Sequence, residues 1–172
     1  MSAAILCWLG LALSGCATEP SPSQPTFYLS MAKEGAQVDP QAAASMISGY
    51  RRNNMMGDVT LDPQLMRMAE EQARAMATKD KLDHNVAGNF QQRLRRSGYK
   101  AQTGAENIGA GYHTLAEAFS GWRDSPPHKA NMLLKGATQM GIAAVYVPNT
   151  KYKVFWALIL ASPDQRTAQL DQ

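Results

Sequence analysis

The chain has very little cysteine. Its 172 residues include only two, Cys7 and Cys16, and both lie within the first sixteen positions. The rest of the chain has no thiol to pair, so we expect it to be stable without disulfides even in an oxidising compartment. A zinc site built on thiolates is excluded for the same reason.

Several standard functional signatures are also absent. The sequence contains no His-Glu-x-x-His, no Gly-x-Ser-x-Gly and no phosphate-binding Gly-x-x-x-x-Gly-Lys, and GAGYHT lacks the third glycine of a dinucleotide loop. The net charge is a mild +3 and no basic stripe with interleaved aromatics occurs, so nucleic acid is not an expected partner. The arginine pairs at 51–52 and 95–96 are interpreted as solvated helix faces.

The apolar run at the N-terminus is too short to span a bilayer. It extends over eleven residues, Ala3 to Leu13, and carries no charge. This length matches the apolar region of a secretory signal, with an N-terminal helix of the fold as the alternative. The ending LSGC resembles a bacterial lipobox, which makes Cys16 the expected lipidation site. Because Ala17 is not the Asp associated with inner-membrane retention, we expect an exported, lipid-anchored envelope protein, in the outer membrane if the host is Gram-negative.

The chain length and composition suit one domain between polar ends. Residues 1–16 form the expected lipoprotein signal peptide, and residues 17–38 begin as a Pro/Ser-rich tether. Within this tether, FYLSM is either a first structural element or a segment that packs on the domain. Residues 39–162 form the domain. Residues 163–172 are polar, lack an apolar pattern and are expected to be a disordered tail.

Helical patterns dominate the first part of the domain and β-rich runs the last. Helices are predicted to begin at Asp39-Pro40, at Asp62-Pro63, at Phe90 and at a capping box of Thr114 and Glu117. The final runs, MGIAAVYV and YKVFWALIL, are joined by PNTK and predict a hairpin. We expect an α+β fold with helices over an antiparallel sheet. Its single core is expected to contain or border Leu65, Met68, Met76, Phe119, Trp122, Ile142, Phe155 and Trp156.

Three titratable residues lie at the edges of the predicted elements. His84 is found in LDHN, Glu106 in GAENIG and His128 in SPPHKAN. Pro126 and Pro127 fix φ and favour the first turn of a new short helix, which would carry His128. Taken singly, each of the three is more often a surface or structural residue than a functional one.

Four motifs, in this order along the chain, resemble the CAP superfamily, which includes the cysteine-rich secretory proteins, antigen 5 and plant pathogenesis-related protein 1. They are VTLDPQLMRMAEEQARAMATKDKLDHN, GAENIGAG, AFSGWRDSPPHKANML and QMGIAAVYV. Bacterial members carry Trp-x-x-Ser-x-x-His-x-x-Asn, which is matched by Trp122, Ser125, His128 and Asn131. The resemblance covers about residues 39–162. It implies a three-layer α-β-α sandwich with a central antiparallel sheet and a surface cleft.

The resemblance also implies which residues line the cleft. In the family, two histidines and two acidic residues line it, and the histidines can bind a divalent metal such as zinc. His84 and His128 match the two histidines and Glu106 matches the first acid, so these three are the expected metal ligands. Ser125 stands in place of the second acid and Asp124 is adjacent, and both are expected to line the cleft.

The remaining polar residues near the cleft have structural explanations. Asn107 and Asn131 are expected to bond the backbone rather than a ligand. Ser125 is also the expected cap of the short helix that carries His128. His113 matches no position of the cleft and is expected to be solvated.

Two functional hypotheses follow. In the first, the protein is a tethered monomeric binding or interaction module for a lipid, a peptide or a cell-envelope component. In the second, it is a metal-dependent, peptidase-like hydrolase in which both histidines and Glu106 hold zinc with an open position for water. Because the second acid is missing, Glu106 would have to be both ligand and general base. The binding module is therefore favoured, and no catalytic residue is assigned.

Overall fold

The computed structural model describes residues 24–164. The predicted signal peptide with Cys16, residues 17–23 of the predicted tether and residues 165–172 of the predicted tail lie outside this range. A short 3₁₀ turn, Thr26–Tyr28, precedes the main elements. The helices are α1 (Pro40–Arg52), α2 (Pro63–Lys79), α3 (Phe90–Arg96), α4 (Leu115–Asp124) and α5 (Pro126–Met132). The strands are β1 (Thr60–Leu61), β2 (Ala101–Ala110), β3 (Gln139–Tyr146) and β4 (Val154–Pro163).

Capping residues set the starts of the helices, as the sequence predicts. The Asp39 carboxylate accepts a hydrogen bond from the Ala42 amide at 3.0 Å, and Asp62 caps α2 in the same way. The capping box of Thr114 and Glu117 is formed at the start of α4. These contacts satisfy backbone N–H groups that the first turn of a helix leaves without a partner. Within residues 24–164, no helix combines the length and apolarity needed to cross a membrane.

The sheet has the strand order β1-β3-β4-β2. Strands β2, β3 and β4 pair antiparallel, which confirms the predicted sheet and hairpin. The two-residue β1, which the sequence did not predict, adds a parallel pairing at the start of β3. The hairpin loop is longer than PNTK, because β4 begins at Val154 and the left-handed residue Lys153 (φ 64°) turns the chain just before it. Pro163, the first residue of the predicted tail, is the last residue of β4.

Helices cover both faces of the sheet, so the fold is the predicted α-β-α sandwich. The expectation of a single core is wrong, because the sheet separates the buried apolar residues into two clusters. One cluster lies under α2 and α3 and contains Leu65, Met68, Met76 and Phe155. The other lies under α1 and α4 and contains Trp122, Ile142 and Trp156, with Phe119 packed at its border. β4 is buried on both faces, which explains its continuous apolar run.

Both alternatives for FYLSM are found, because Phe27 and Tyr28 lie in the 3₁₀ turn and the segment packs on the domain. Met31 is only 6% exposed and lies in the cluster under α1 and α4. Its amide donates to the His113 carbonyl at 2.6 Å, and the Thr26 hydroxyl donates to Asp39 at 2.8 Å. The described part of the predicted tether, residues 24–38, is therefore part of the folded unit.

The prediction that both arginines at 51–52 are solvated is wrong for Arg51. Its neighbour Arg52 is exposed, but Arg51 is 1% exposed and follows Ala43 and Ile47 at helical spacing on the apolar stripe. The guanidinium is satisfied by backbone carbonyls at 2.8–3.1 Å, which belong to Gly57, Met132, Leu134 and Ala137. Arg51 thereby ties α1 to the chain that follows α5.

Candidate functional site

The candidate site lies at the outer edge of β2. Glu106 and Asn107 are adjacent on this strand, so their side chains point to opposite faces of the sheet. Glu106 contacts α3 on one face, and Asn107 contacts α5 on the other. The motif GAENIG therefore supplies one polar side chain to each helical layer at the same point of the edge.

Glu106 places a buried carboxylate between an arginine and a histidine. Its side chain is 2% exposed. Nη2 of Arg93 lies 2.8 Å from each carboxylate oxygen, and Nδ1 of His84 lies 2.8 Å from Oε1. An ionised carboxylate can only accept hydrogen bonds, so in the neutral imidazole of His84 this network places the proton on Nδ1 and leaves Nε2 as an acceptor.

Arg93 was not identified from the sequence, although it holds Glu106 in place. Its side chain is fully buried, and its guanidinium lies 5.7 Å from the centre of the Phe90 ring. On α3, Arg93 shares one face with Phe90 and Leu94, because residues three and four positions apart are neighbours on a helix. An arginine on the apolar face of a short helix is the signal that could have revealed it. Arg95 and Arg96 are exposed, as predicted.

The loop that carries His84 is held by side chains from α2 and α3. Gln72 is buried, and its Nε2 donates to the Asp83 carbonyl at 2.9 Å. Nη2 of Arg93 also reaches the His84 carbonyl at 3.2 Å. Arg93 therefore contacts the backbone of His84 directly and orients its ring through Glu106.

His128 lies in the first turn of α5, where the sequence placed it. The predicted cap by Ser125 is wrong, since its hydroxyl makes no capping hydrogen bond and lies 2.9 Å from Nδ1 of His128. Pro126 and Pro127 occupy the first two helical positions and have no N–H to offer. Fewer amides therefore compete for the Ser125 hydroxyl, and it pairs with the imidazole instead.

Two asparagines fasten α5 to the edge of β2. Nδ2 of Asn107 donates to the His128 carbonyl at 2.9 Å. Nδ2 of Asn131 lies 3.0 Å from the Glu106 carbonyl and 2.9 Å from Oδ1 of Asn107. These hydrogen bonds fix the start of α5 against the strand, and they place His128 near His84.

Two ionisable groups on the α4–α5 side of the site have lowered pKa values. Burial lowers the pKa of the His128 imidazole below its ordinary value, and the nearby His84 lowers it further. Asp124 is exposed and pairs with Arg123 at 2.7 Å, and this hydrogen bond lowers the pKa of its carboxyl. Within the described residues, Asp124 forms no hydrogen bond or ion pair with either cleft histidine.

The two cleft histidines present the same atom to the site. Neither Nε2, of His84 or of His128, has a hydrogen-bond partner within residues 24–164, while each Nδ1 is engaged. His113 is exposed and lies apart from this arrangement. Across the described part of the chain, no group of three or more His, Cys, Asp or Glu side chains is arranged to hold a metal ion.

An α-β-α sandwich with two imidazoles and a buried glutamate at one sheet edge is the architecture expected of a CAP domain. The model of the cysteine-rich secretory protein family (CAP) matches residues 44–160, which is more than half of the chain. The chain therefore belongs to this family.

Individual relatives are distant in sequence. The uncharacterised protein YkwD of Bacillus subtilis is 22% identical over 128 residues, which is 73% of this chain and 50% of YkwD. The chain thus spans half the length of this curated relative.

Solved structures are similar in fold. An extracellular protein with an SCP domain from Bacillus anthracis matches with a TM-score of 0.62 and 22% identity, over 71% of this chain and 39% of that protein. An outer surface protein of Borrelia burgdorferi matches with a TM-score of 0.64 and 18% identity, over 76% of this chain and 99% of that protein. At these identities, the likeness shows the fold alone.

Proposed function

We propose that this protein is a binding module whose ligand is held at the β2 edge between His84 and His128. The proposal rests on one observation: each imidazole is fixed through Nδ1 and presents a free Nε2. His84 comes from the α3 side of the sheet and His128 from the α5 side, so the two rings border one site. The ligand class is a lipid, a peptide or another envelope component with a polar group that bonds to the two Nε2 atoms.

The state of the carboxylates favours binding over hydrolysis. In the zinc-hydrolase alternative both histidines are metal ligands, so a carboxylate must be the general base that takes a proton from water. Both oxygens of Glu106 already accept hydrogen bonds from Arg93, and Asp124 is paired with Arg123. Among the described residues around the two histidines, this leaves no free carboxylate for the task.

A divalent metal such as zinc fits the two imidazoles as ligands and Glu106 as the support of His84. The free Nε2 atoms of His84 and His128 would hold it. Glu106 would orient His84 through Nδ1, as carboxylates commonly do behind metal-bound histidines. Two protein ligands are fewer than the three of a catalytic zinc site, so we expect weak binding. A bound metal would supply an electrostatic anchor for an anionic or carbonyl group of the ligand.

Export and lipid anchoring are part of the same proposal. One structurally similar protein is described as extracellular and another as an outer surface protein, which supports export. The anchor itself rests on the LSGC motif at Cys16. Full-length protein should partition into detergent, and Cys16→Ser should leave it unprocessed. Release of unlipidated full-length protein into the soluble fraction would contradict the anchor.

A zinc titration tests the geometry of the cleft. Zinc chloride should shift the NMR signals of both Nε2 atoms together and raise the melting temperature. His84→Ala and His128→Ala should each remove most of this effect, and the matched control His113→Ala should not. Glu106→Gln should weaken zinc binding about 10–100-fold if the carboxylate has a supporting role. Equal stabilisation of the wild type and both cleft variants by zinc would remove the metal from the proposal.

Ligand binding itself is tested with envelope fractions. Lipid extracts and soluble peptidoglycan fragments are added to protein labelled at its histidines. A component that shifts the signals of His84 and His128 without being consumed supports a binding module. Hydrolysis of a component, abolished by a chelator and by His128→Ala, would establish the alternative enzyme instead.

A further inference from the structure

A second concave surface lies at the opposite edge of the sheet from the histidines. It is a groove of about 970 Å³ between residues 33–38, α2 and the outer edge of β3. This volume is at the upper end of the range usual for ligand pockets. Because the strand order is β1-β3-β4-β2, the width of the sheet separates this groove from the cleft at β2.

The outer edge of β3 is only partly paired. β1 covers Gln139 and Met140 and extends no further. The Asp62 amide donates to the Met140 carbonyl, so the even-numbered residues of β3 direct their backbone groups outward. The next outward amide, that of Ile142, donates to Sδ of Met66 at 3.3 Å, which is a weak acceptor.

Beyond Ile142 the edge is open. Within residues 24–164, the outward amides and carbonyls of Ala144 and Tyr146 have no backbone partner. From Ile142 to Tyr146 this edge is about 14 Å long at the usual rise of a strand. Such a row of donors and acceptors is complementary to the backbone of another extended chain.

Packing holds this edge in place at the bottom of the groove. α2 approaches β3 so closely at Gly141 that a Cβ there would overlap the Leu65 carbonyl. Glycine is therefore required at this position, and the strand cannot move toward the helix. Ala143 and Ala144, which line the groove, have small side chains.

The charges of the walls favour an anionic occupant. Arg74 and Glu70 of α2 pair with each other at 2.6 Å. Arg67 of α2 and Lys33 of the opposite wall are exposed and form no ion pair within the described residues, and Glu34 is the remaining acid of the lining. One net positive charge is therefore left to meet a ligand.

We propose that this groove binds an extended acidic peptide, which adds to the outer edge of β3 as a further strand. Backbone hydrogen bonds to Ala144 and Tyr146 hold the peptide, as in other cases of strand addition. Its acidic side chains face Arg67 and Lys33. The groove and the histidine cleft share no residue, so this site does not depend on the function proposed for the cleft.

The experiment uses full-length protein in detergent and an acetylated octapeptide of repeated Glu-Glu-Val-Val, which places Glu on both faces of an extended chain. Binding is followed by amide NMR and calorimetry. The peptide should shift the amides of Ala144 and Tyr146 and leave those of His84 and Glu106 unchanged. Affinity should fall as salt is added. A Lys/Val peptide and a Glu/Val peptide with N-methylated amides are the matched controls, and both should bind about tenfold more weakly or not at all.

Two protein variants test the two kinds of contact. Ala144→Pro removes one outward N–H at an edge position, where proline is tolerated, and should weaken binding about tenfold. Arg67→Glu should weaken it roughly fivefold, whereas Arg95→Glu, the same charge change on α3, should not. If Ala144→Pro does not fold, the N-methylated peptide reports on the same hydrogen bonds.

Three outcomes would overturn the proposal. The first is that no peptide binds, or that acidic, basic and N-methylated peptides bind alike. The second is that the shifts map to the histidine cleft, which would assign peptide binding to that site instead. The third is that sedimentation shows a dimer paired through β3, so that a second copy of the chain occupies the edge.

Discussion

The two outer edges of the sheet differ in how their outward backbone groups are hydrogen-bonded. At β2, the carbonyls of Glu106 and Ile108 accept hydrogen bonds from Asn131 and from the indole of Trp122. At β3, the outward groups of Ala144 and Tyr146 have no backbone partner among the described residues. At the β2 edge, side chains of α4 and α5 close off these two carbonyls, whereas the β3 edge is open along a groove.

This difference shows how one sheet can support two kinds of recognition. Closing the β2 edge fixes α5, and with it His128, so a ligand there meets side chains whose positions are already set. The open β3 edge offers backbone groups, which recognise an extended chain with little regard to its sequence. Specificity at that edge must then come from the groove walls, where Arg67 and Lys33 lie.

The largest effect is expected from Arg93→Met at the closed edge. The substitution leaves the buried carboxylate of Glu106 without its cation, which typically costs about 3–5 kcal/mol of unfolding free energy. Urea unfolding measures the loss. Arg67→Met, the same change at the open edge, should alter stability by no more than about 0.5 kcal/mol because Arg67 is exposed. Similar losses in both variants would mean that the two edges do not differ as described.

A double variant separates lost charge pairing from lost packing. Glu106→Gln added to Arg93→Met removes the unpaired charge and should recover part of the stability. No recovery would assign the loss to packing around Phe90 instead.

A smaller effect is expected from Asn131→Ala. It removes the donor to the Glu106 carbonyl and to Asn107, at about 1–3 kcal/mol if the acceptors stay buried. Hydrogen exchange should accelerate in α5 and leave β3 unchanged. Lys129→Ala, an exposed substitution on the same helix, is the control and should change neither. Uniform acceleration across the sheet would show that the asparagine stabilises the whole domain rather than this edge.

Local signals in the sequence predicted much of this fold. Asp39, Asp62 and Thr114 each cap a helix through contacts within a few residues, so their roles are readable from the chain itself. The β-rich runs MGIAAVYV and YKVFWALIL predicted the hairpin. The division of the core was not readable, because only the completed sheet assigns Ile142 to one face and Phe155 to the other.

The burial of two arginines was not predicted from the sequence. Arginine is usually a surface residue, but Arg51 and Arg93 each lie on the apolar face of a helix. Nη1 of Arg93 has no hydrogen-bond partner within residues 24–164, but both guanidinium groups bond to distant partners. Those partners depend on tertiary packing. Ser125 is a different case, because its pairing with His128, three residues away, competes with the cap that local sequence favours.

The smallest effect is a pH dependence from His128. Burial lowers its pKa in the folded protein, with His84 as a further cause, whereas the unfolded chain has the ordinary value of about 6.5. Between these two values the unfolded chain binds a proton that the folded protein does not. The unfolded state is therefore favoured as the pH falls through this window, and stability is fully present above about pH 6.5.

Urea unfolding at a series of pH values isolates this contribution. The wild type should lose stability as the pH falls below about 6.5, and the loss should level off below the lowered pKa of His128. His128→Gln, which has no titrating ring, should show a shallower dependence in the same window. His113→Gln should follow the wild type, because His113 is exposed and lies outside the cleft.

Because Asn107 and Asn131 hold α5 in place, the slope should also shrink in Asn131→Ala, where looser packing returns the pKa of His128 toward its ordinary value. An unchanged slope in His128→Gln would mean that another group causes the pH dependence of stability. The pKa of His128 would then not distinguish the β2 edge from the β3 edge.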